Sequence, residues 1–263
     1  MKIGMIGLGN MGSAIGKALY QKGYSLVLSD KNEKNLELWQ HLEQVEIGKN
    51  NSEVIEKSDV VFFAVKPHIL PTVLQELKDQ LKQREDLWII SMAAGVTLEK
   101  IMEYSNHKKI IRIMPNTPAF VGEGMTAMTY PKDVNIPKNK ILPLLESFGK
   151  VAELEENMID AFTGACGCLP AYVFLFLEGA ADGAVLEGLP REDAYEWIAQ
   201  TILGSAKLYL ETKKHPGVLK DSVTSPGGST IEGVKALEKG NFRATVMNAI
   251  EKSVLKNKEL GKH

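Results

Sequence analysis

Through the first half of the chain, apolar residues come in short dense runs separated by amphipathic stretches. Lys2–Ile6, Ser25–Ser29, Val60–Val65, Trp88–Ser91 and Ile110–Ile113 carry too few polar positions to face water on either side. Such runs predict strands covered on both faces, and so a parallel sheet between layers of helix. Thr126–Tyr130 reads as a sixth strand. Lys138–Phe148, with Ile141, Leu144, Leu145 and Phe148 on one stripe, predicts the helix that closes this domain.

After Glu155 the β-branched runs stop and the pattern turns helical. Ala171–Leu186 is apolar on nearly every side, so it predicts a helix that needs burial all round. Its Gly179, Ala180, Gly183 and Ala184 leave room for another helix to approach. A second helix starts at Pro190, carries Ala194, Trp197, Ile198, Thr201, Ile202, Ser205 and Leu208 on one stripe, and ends by His215-Pro216-Gly217. A last helix is predicted over Phe242–Leu260. The expected organisation is an α/β domain with a parallel sheet over 1–153, then an all-α domain over 154–263.

A chain of 263 residues suits two domains. With 44% hydrophobic and 24% charged residues the composition is that of a soluble globular protein. Lys and Arg number 31 against 33 Asp and Glu, for a net charge of −2, which argues against nucleic acid or anionic lipid as partner and for small ligands. The two cysteines, Cys166 and Cys168, lie too near each other to staple distant segments and fit a reducing compartment. The start MKIGMIGLG reads as a strand and a turn rather than an export signal. The run Ala171–Leu177 is stopped by Glu178, far short of the ~20 residues of a membrane span. A cytoplasmic protein without membrane contact is expected.

Chemistry enters at Gly7-Leu8-Gly9-Asn10-Met11-Gly12, a G-x-G-x-x-G element between the first strand and the first helix. In this context the first glycine makes a tight turn, the second admits a pyrophosphate to the backbone, and the third lets helix and strand pack closely. The helix N-terminus adds free N–H groups and a positive dipole end. These features predict a dinucleotide site. Asp30, ending the second strand, has two roles open: a ribose ligand, or a loop aspartate beside Lys31 and Lys34, which are near enough to take a 2′-phosphate. The choice between NAD(H) and NADP(H) stays open with it. Ala64-Val65-Lys66-Pro67, Met92-Ala93-Ala94-Gly95 and Met114–Pro118 follow later strands, at the sheet edge where such folds bind ligands, although an ordinary strand-to-helix loop explains each equally well.

In the helical half, Ser225-Pro226-Gly227-Gly228-Ser229-Thr230-Ile231-Glu232 predicts a helix start, with Ser229 and Glu232 as a capping box. Its outward N–H groups suit a small carboxylate, although a helix that is merely well capped explains the same residues. No set of His, Asp and Glu has metal-ligand spacing, and no metal is expected. His107 and His215 read as solvated surface. Hydride transfer requires neither metal nor nucleophile, because the cofactor carries the chemistry.

Together these motifs resemble the pyrroline-5-carboxylate reductase family: GLGNMG at Gly7–Gly12, AVKPH at Ala64–His68, SMAAGVT at Ser91–Thr97, RIMPNTP at Arg112–Pro118, PAYVF at Pro170–Phe174, HPG at His215–Gly217 and DSVTSPGGSTIEG at Asp221–Gly233. The resemblance implies a Rossmann domain followed by a helical dimerisation domain, with rings of dimers in some assemblies. It implies reduction of 1-pyrroline-5-carboxylate to proline by NADP(H) or NAD(H). Ile6, Gly7, Leu8, Gly9, Asn10, Met11, Asn51, Ala64, Val65, Lys66, Pro67, Met92, Ala93 and Ala94 would then meet the cofactor. Val223, Gly228, Ser229 and Thr230 would hold the substrate, with Thr230 bonded to its ring nitrogen. The chain departs from the family at Cys166-Gly167-Cys168-Leu169, where a serine-glycine run is usual. Small residues are kept at the first three positions, so the packing is expected to survive; the cysteine pair can also be read as a redox switch, but two buried structural thiols are expected. Two other readings fit the glycine turn: a β-hydroxyacid dehydrogenase using Lys207 as base, and a nucleotide-binding protein without activity.

Overall fold

Alternation along each apolar run divides its side chains between two faces, and the computed structural model, which describes residues 1–261, shows a core on each face. Leu26 and Leu28, Val60 and Phe62, and Trp88 and Ile90 enter one core; Val27, Val61, Phe63 and Ile89 enter the other. The strands are β1 (Lys2–Ile6), β2 (Ser25–Ser29), β3 (Val45–Ile47), β4 (Val60–Phe63), β5 (Trp88–Ser91), β6 (Ile110–Met114), β7 (Gly124–Thr129) and β8 (Gly149–Glu153). They form one 8-stranded sheet in the order β3-β2-β1-β4-β5-β6-β7-β8. Pairing is parallel from β3 across to β6; β7 runs antiparallel to β6, and β8 is parallel to β7.

The helices on this sheet are α1 (Asn10–Gln21), α2 (Asn51–Lys57), α3 (Leu70–Glu76), α4 (Lys78–Gln83), α5 (Leu98–Ser105), α6 (Lys138–Leu145) and α7 (Ile159–Phe162). Trp39 lies fully buried against α1 at Gly16, where an added Cβ would come within 3.0 Å of the indole. The expected helix Lys138–Phe148 ends earlier, at Leu145. A 3-10 turn over Glu146–Phe148 then delivers the chain into β8. β3 and β8 went unread because neither carries a dense apolar run: β3 is half-buried throughout and β8 half-buried or exposed.

Contacts group the chain into two units. One is Met1–Cys168 together with the chain from Ser253 onward; the other is Leu169–Lys252. The second is wholly helical, with α8 (Leu169–Leu186), α9 (Arg191–Thr212), α10 (Pro216–Ser222), α11 (Ser229–Lys239) and the first part of α12 (Phe242–Leu260). The closing part of α12 belongs with the sheet, where the Asn257 amide donates to Asp160 at 2.5 Å.

Two expectations need correction here. The predicted all-round burial of Ala171–Leu186 is absent from the single chain: Ala181 is buried in α8, while Phe174, Leu175 and Leu186 are exposed. The helical stretch Glu156–Leu186 also runs 31 residues with a mean hydropathy of 1.5 in its most apolar window, long and apolar enough to cross a bilayer. Glu178 interrupts the apolar run without ending the helix, so the run was too narrow a measure of the element.

Candidate functional site

The first turn is built by exclusion. Gly7 leaves β1 at φ +96, where a Cβ would lie 2.9 Å from the Ala64 carbonyl carbon. A Cβ on Gly12 would come within 2.2 Å of the Gly7 oxygen. Protein packing therefore demands both glycines. Gly9 is different: a Cβ there meets nothing within 4 Å, and the residue precedes an α1 N-terminus that no side chain caps. Its bare backbone and the free N–H groups beyond it fit a pyrophosphate.

Around this turn lies an open cleft of about 690 Å³ that gathers Ile6, Gly7, Gly9, Asp30, Asn51, Ala64, Val65 and Lys66 from the expected cofactor residues. Leu8, Asn10, Met11, Pro67 and Met92–Ala94 do not line it. The side chains of Leu8 and Ala93 are core residues, 2% and 1% exposed, which leaves their backbone for a ligand. The cleft adds Ser29, Asn35, Lys49, Asn50 and Thr72, which sequence reasoning missed. Lys49 and Asn50 follow the unread strand β3, and recognising that strand would have placed them at its carboxyl end. Of the two lysines weighed as phosphate ligands, Lys31 lines the cleft and Lys34 does not.

Asp30 is held from two sides. One oxygen accepts the Leu8 N–H at 2.5 Å and the other the Asn32 N–H at 2.7 Å. In the preceding residue, the Ser29 hydroxyl donates to the side-chain oxygen of Asn51 at 2.8 Å.

The loop after β5, which carries Met92–Ala94, is braced from the segment beyond β8. Glu156 accepts the Leu98 N–H at 2.7 Å and pairs with the buried Arg112 guanidinium at 2.8 Å, so one carboxylate fixes both β6 and the start of α5. Asn116 in the MPNTP motif accepts the Met125 N–H at 2.9 Å and donates to the Cys166 carbonyl at 3.0 Å. The two thiols expected to be buried are only half-buried: Cys166 and Cys168 are free, and burial pushes the Cys166 thiol above its ordinary value.

In the helical unit, α11 starts at Ser229 as the sequence implies, but its cap is Gly228 and no side chain closes it. The expected capping box is thus corrected: Ser229 already lies inside the helix, and Glu232 pairs with Lys235 at 3.3 Å. Val223, Ser229 and Thr230 are exposed and Gly228 half-buried. The uncapped N–H groups are free for a carboxylate. His107 also departs from expectation, being 5% exposed with Nε2 on the Leu87 carbonyl at 2.8 Å. His215 is exposed and caps α10 by accepting the Gly217 N–H at 3.1 Å. Lys207 lies 3.8 Å from Glu211 on an exposed face of α9, a setting unlike that of a general base.

A mostly parallel sheet opened by a G-x-G-x-x-G turn between its first strand and first helix, followed by a wholly helical unit, is the architecture of a two-domain dinucleotide-dependent oxidoreductase. Residues 2–95 match the family model described as NADP oxidoreductase, coenzyme F420-dependent, and residues 156–260 match that of pyrroline-5-carboxylate reductase dimerisation. The chain belongs to the pyrroline-5-carboxylate reductase family. It is 41% identical to pyrroline-5-carboxylate reductase of Arabidopsis thaliana, over 98% of this chain and 95% of that one. Its identity to the Escherichia coli (strain K12) enzyme is 43%, over 99% and 98%. Among solved structures, Plasmodium falciparum pyrroline carboxylate reductase with NADP bound superposes with a TM-score of 0.88 at 34% identity, covering 99% and 98% of the two chains. The Coxiella burnetii pyrroline-5-carboxylate reductase gives 0.90 at 33%, covering 98% and 97%.

Proposed function

We propose that this chain reduces the carbon–nitrogen double bond of 1-pyrroline-5-carboxylate to give L-proline, the last step of proline biosynthesis. The observation that carries the reading is the glycine turn, where Gly7 and Gly12 are forced by the protein and Gly9 by nothing in it. Bound NADPH or NADH would supply a hydride for the imine carbon, and a proton from water would complete the amine. The turn from Ile6 to Met11 and the α1 N-terminus hold the pyrophosphate, and Asp30 and Asn51 flank the adenosine ribose. Ala64–Pro67 and Met92–Ala94 give small or backbone surfaces that would hold a flat cofactor.

Val223 and Gly228–Thr230 hold the substrate. The uncapped N–H groups at the start of α11 take its carboxylate, and the Thr230 hydroxyl bonds the ring nitrogen as the catalytic residue. Functionally the chain divides at 153/154, a reading supported by the start of the dimerisation match at 156. The exposed apolar residues of α8 and α9 then serve a homodimer, with rings of dimers as the larger assembly, and not a lipid phase. A net charge of −2 fits a cytoplasmic enzyme that binds neither nucleic acid nor membrane.

The test is to follow NADPH and NADH absorbance side by side with pyrroline-5-carboxylate. Consumption of either supports the reading, and no loss of either signal overturns it. Thr230→Ala is expected to lower kcat/KM for the imine by about tenfold or more, the weight of one hydrogen bond to a charged group. An unchanged value removes Thr230 from the mechanism.

A further inference from the structure

The acid at the end of β2 is fixed in place. With one oxygen on the Leu8 N–H and the other on the Asn32 N–H, Asp30 cannot turn its carboxylate away without breaking two charge-assisted hydrogen bonds. The first of these bonds ties it to the glycine turn itself. Each carboxylate oxygen has a second lone pair, so the group still accepts from a hydroxyl. Asn51 spends its side-chain oxygen on the Ser29 hydroxyl and keeps its NH₂ group to donate. Lining one cleft beside Gly9, the pair offers an acceptor and a donor to a ribose diol.

A ribose that carries a 2′-phosphate presents something different to the same acid: an acceptor-only dianion against a stationary negative charge. Lys31 and Lys49 line the cleft and would attract that phosphate. Both are exposed, however, and hold their charge in water on long flexible stems. Ordering them costs entropy and their attraction is screened, as at other exposed charges. The carboxylate is already ordered, so a fixed repulsion opposes a mobile attraction. Discrimination between two ligands that are otherwise alike is commonly built from such a repulsive element.

We propose that Asp30 sets the cofactor preference of this chain, favouring NADH over NADPH. The proposal rests on the reading of the cleft as the cofactor site and adds to it which dinucleotide the cleft prefers.

The experiment titrates the full-length protein with NAD⁺ and, separately, NADP⁺ by calorimetry, and measures kcat/KM with NADH and NADPH, for wild type, Asp30→Asn and Asp30→Ser. Wild type is expected to bind NAD⁺ about tenfold or more tightly than NADP⁺, with the same order in kcat/KM. In both variants the ratio is expected to approach one or invert, as Lys31 and Lys49 act without the opposing charge. Loss of the bond to the Leu8 N–H loosens the turn for both dinucleotides alike, so a purely structural role for Asp30 lowers both affinities and leaves the ratio unmoved. That result overturns the proposal, as does a wild type that prefers NADP⁺, which needs no folded variant to be seen. If wild type binds neither dinucleotide, the cleft reading fails along with it.

Discussion

Gly9 and Gly12 are two glycines of one motif with opposite reasons to exist. A methyl group on Gly12 collides with the Gly7 carbonyl, whereas a methyl group on Gly9 meets no protein atom. Gly12→Ala is therefore expected to destabilise the fold by about 2 kcal/mol or more, as overpacking and backbone strain do. Gly9→Ala is expected to leave Tm unchanged while raising the Kd for the dinucleotide at least tenfold. Thermal unfolding and calorimetric titration of the two variants separate these outcomes, and equal loss of Tm in both refutes the distinction. At this scale the sequence was read well where one residue type does one job. It was silent where the job depends on a neighbour's path: Asp30 could be seen at a strand end, but its hold on the Leu8 N–H exists only once the turn is folded. Ser229 failed for the same reason, because helix α11 begins one residue earlier than the capping pattern needs. The cysteine pair yields a further expectation. With its thiol pushed up by burial, Cys166 is mostly protonated at neutral pH, and thiol reagents should modify it slowly there and faster as pH rises.

Strand β3 shows what an element contributes beyond its apolar residues. It is a three-residue edge strand, and its Glu46 accepts from Lys2 of β1 at 2.8 Å and from Lys57 of α2, so charge holds what hydrophobic area does not. Hydrogen bonds from the two ammonium groups, Lys2 first, lower the Glu46 carboxyl from 4.5 to about 2. A carboxylate depressed in the folded state stabilises fully above its unfolded value and loses that contribution as pH falls through its folded one. Glu46→Gln is thus expected to lower Tm modestly at pH 7, since all three side chains are about a third exposed and screened. The gap to wild type should close between about pH 4.5 and 2, and high salt should narrow it at pH 7. A gap independent of pH and salt assigns the effect to packing. The strands that alternate between two buried faces were legible from composition and spacing. β3 and β8 were not, because a short or half-exposed edge strand owes its pairing to the strand beside it.

For the whole molecule, the single chain leaves much of the helical unit's apolar surface in water. Leu175 is 69% exposed, Leu203 58% and Trp197 52%, large apolar side chains of the kind that association covers in soluble proteins. Leu175→Glu is expected to shift the solution mass measured by light scattering toward one chain and to cost activity with it. An unchanged mass places the interface elsewhere. The helical character of this half was plain in the sequence, since periodicity reports it directly. The exposure of α8 was not, because an apolar helix reads the same whether its own chain or another covers it.

The strand order carries a consequence for synthesis. Numbered along the chain, the sheet reads 3-2-1-4-5-6-7-8: β2 joins β1, β3 joins β2, β4 takes the free side of β1, and each later strand extends the edge left by the one before. No strand is inserted between two already paired, and none waits for a partner not yet made. A chain emerging N-terminus first from the ribosome can assemble this sheet in the order of translation, always offering one open edge to the next strand. The helical unit is made only after the last strand of the sheet, and the closing part of α12, which belongs with the sheet, follows it.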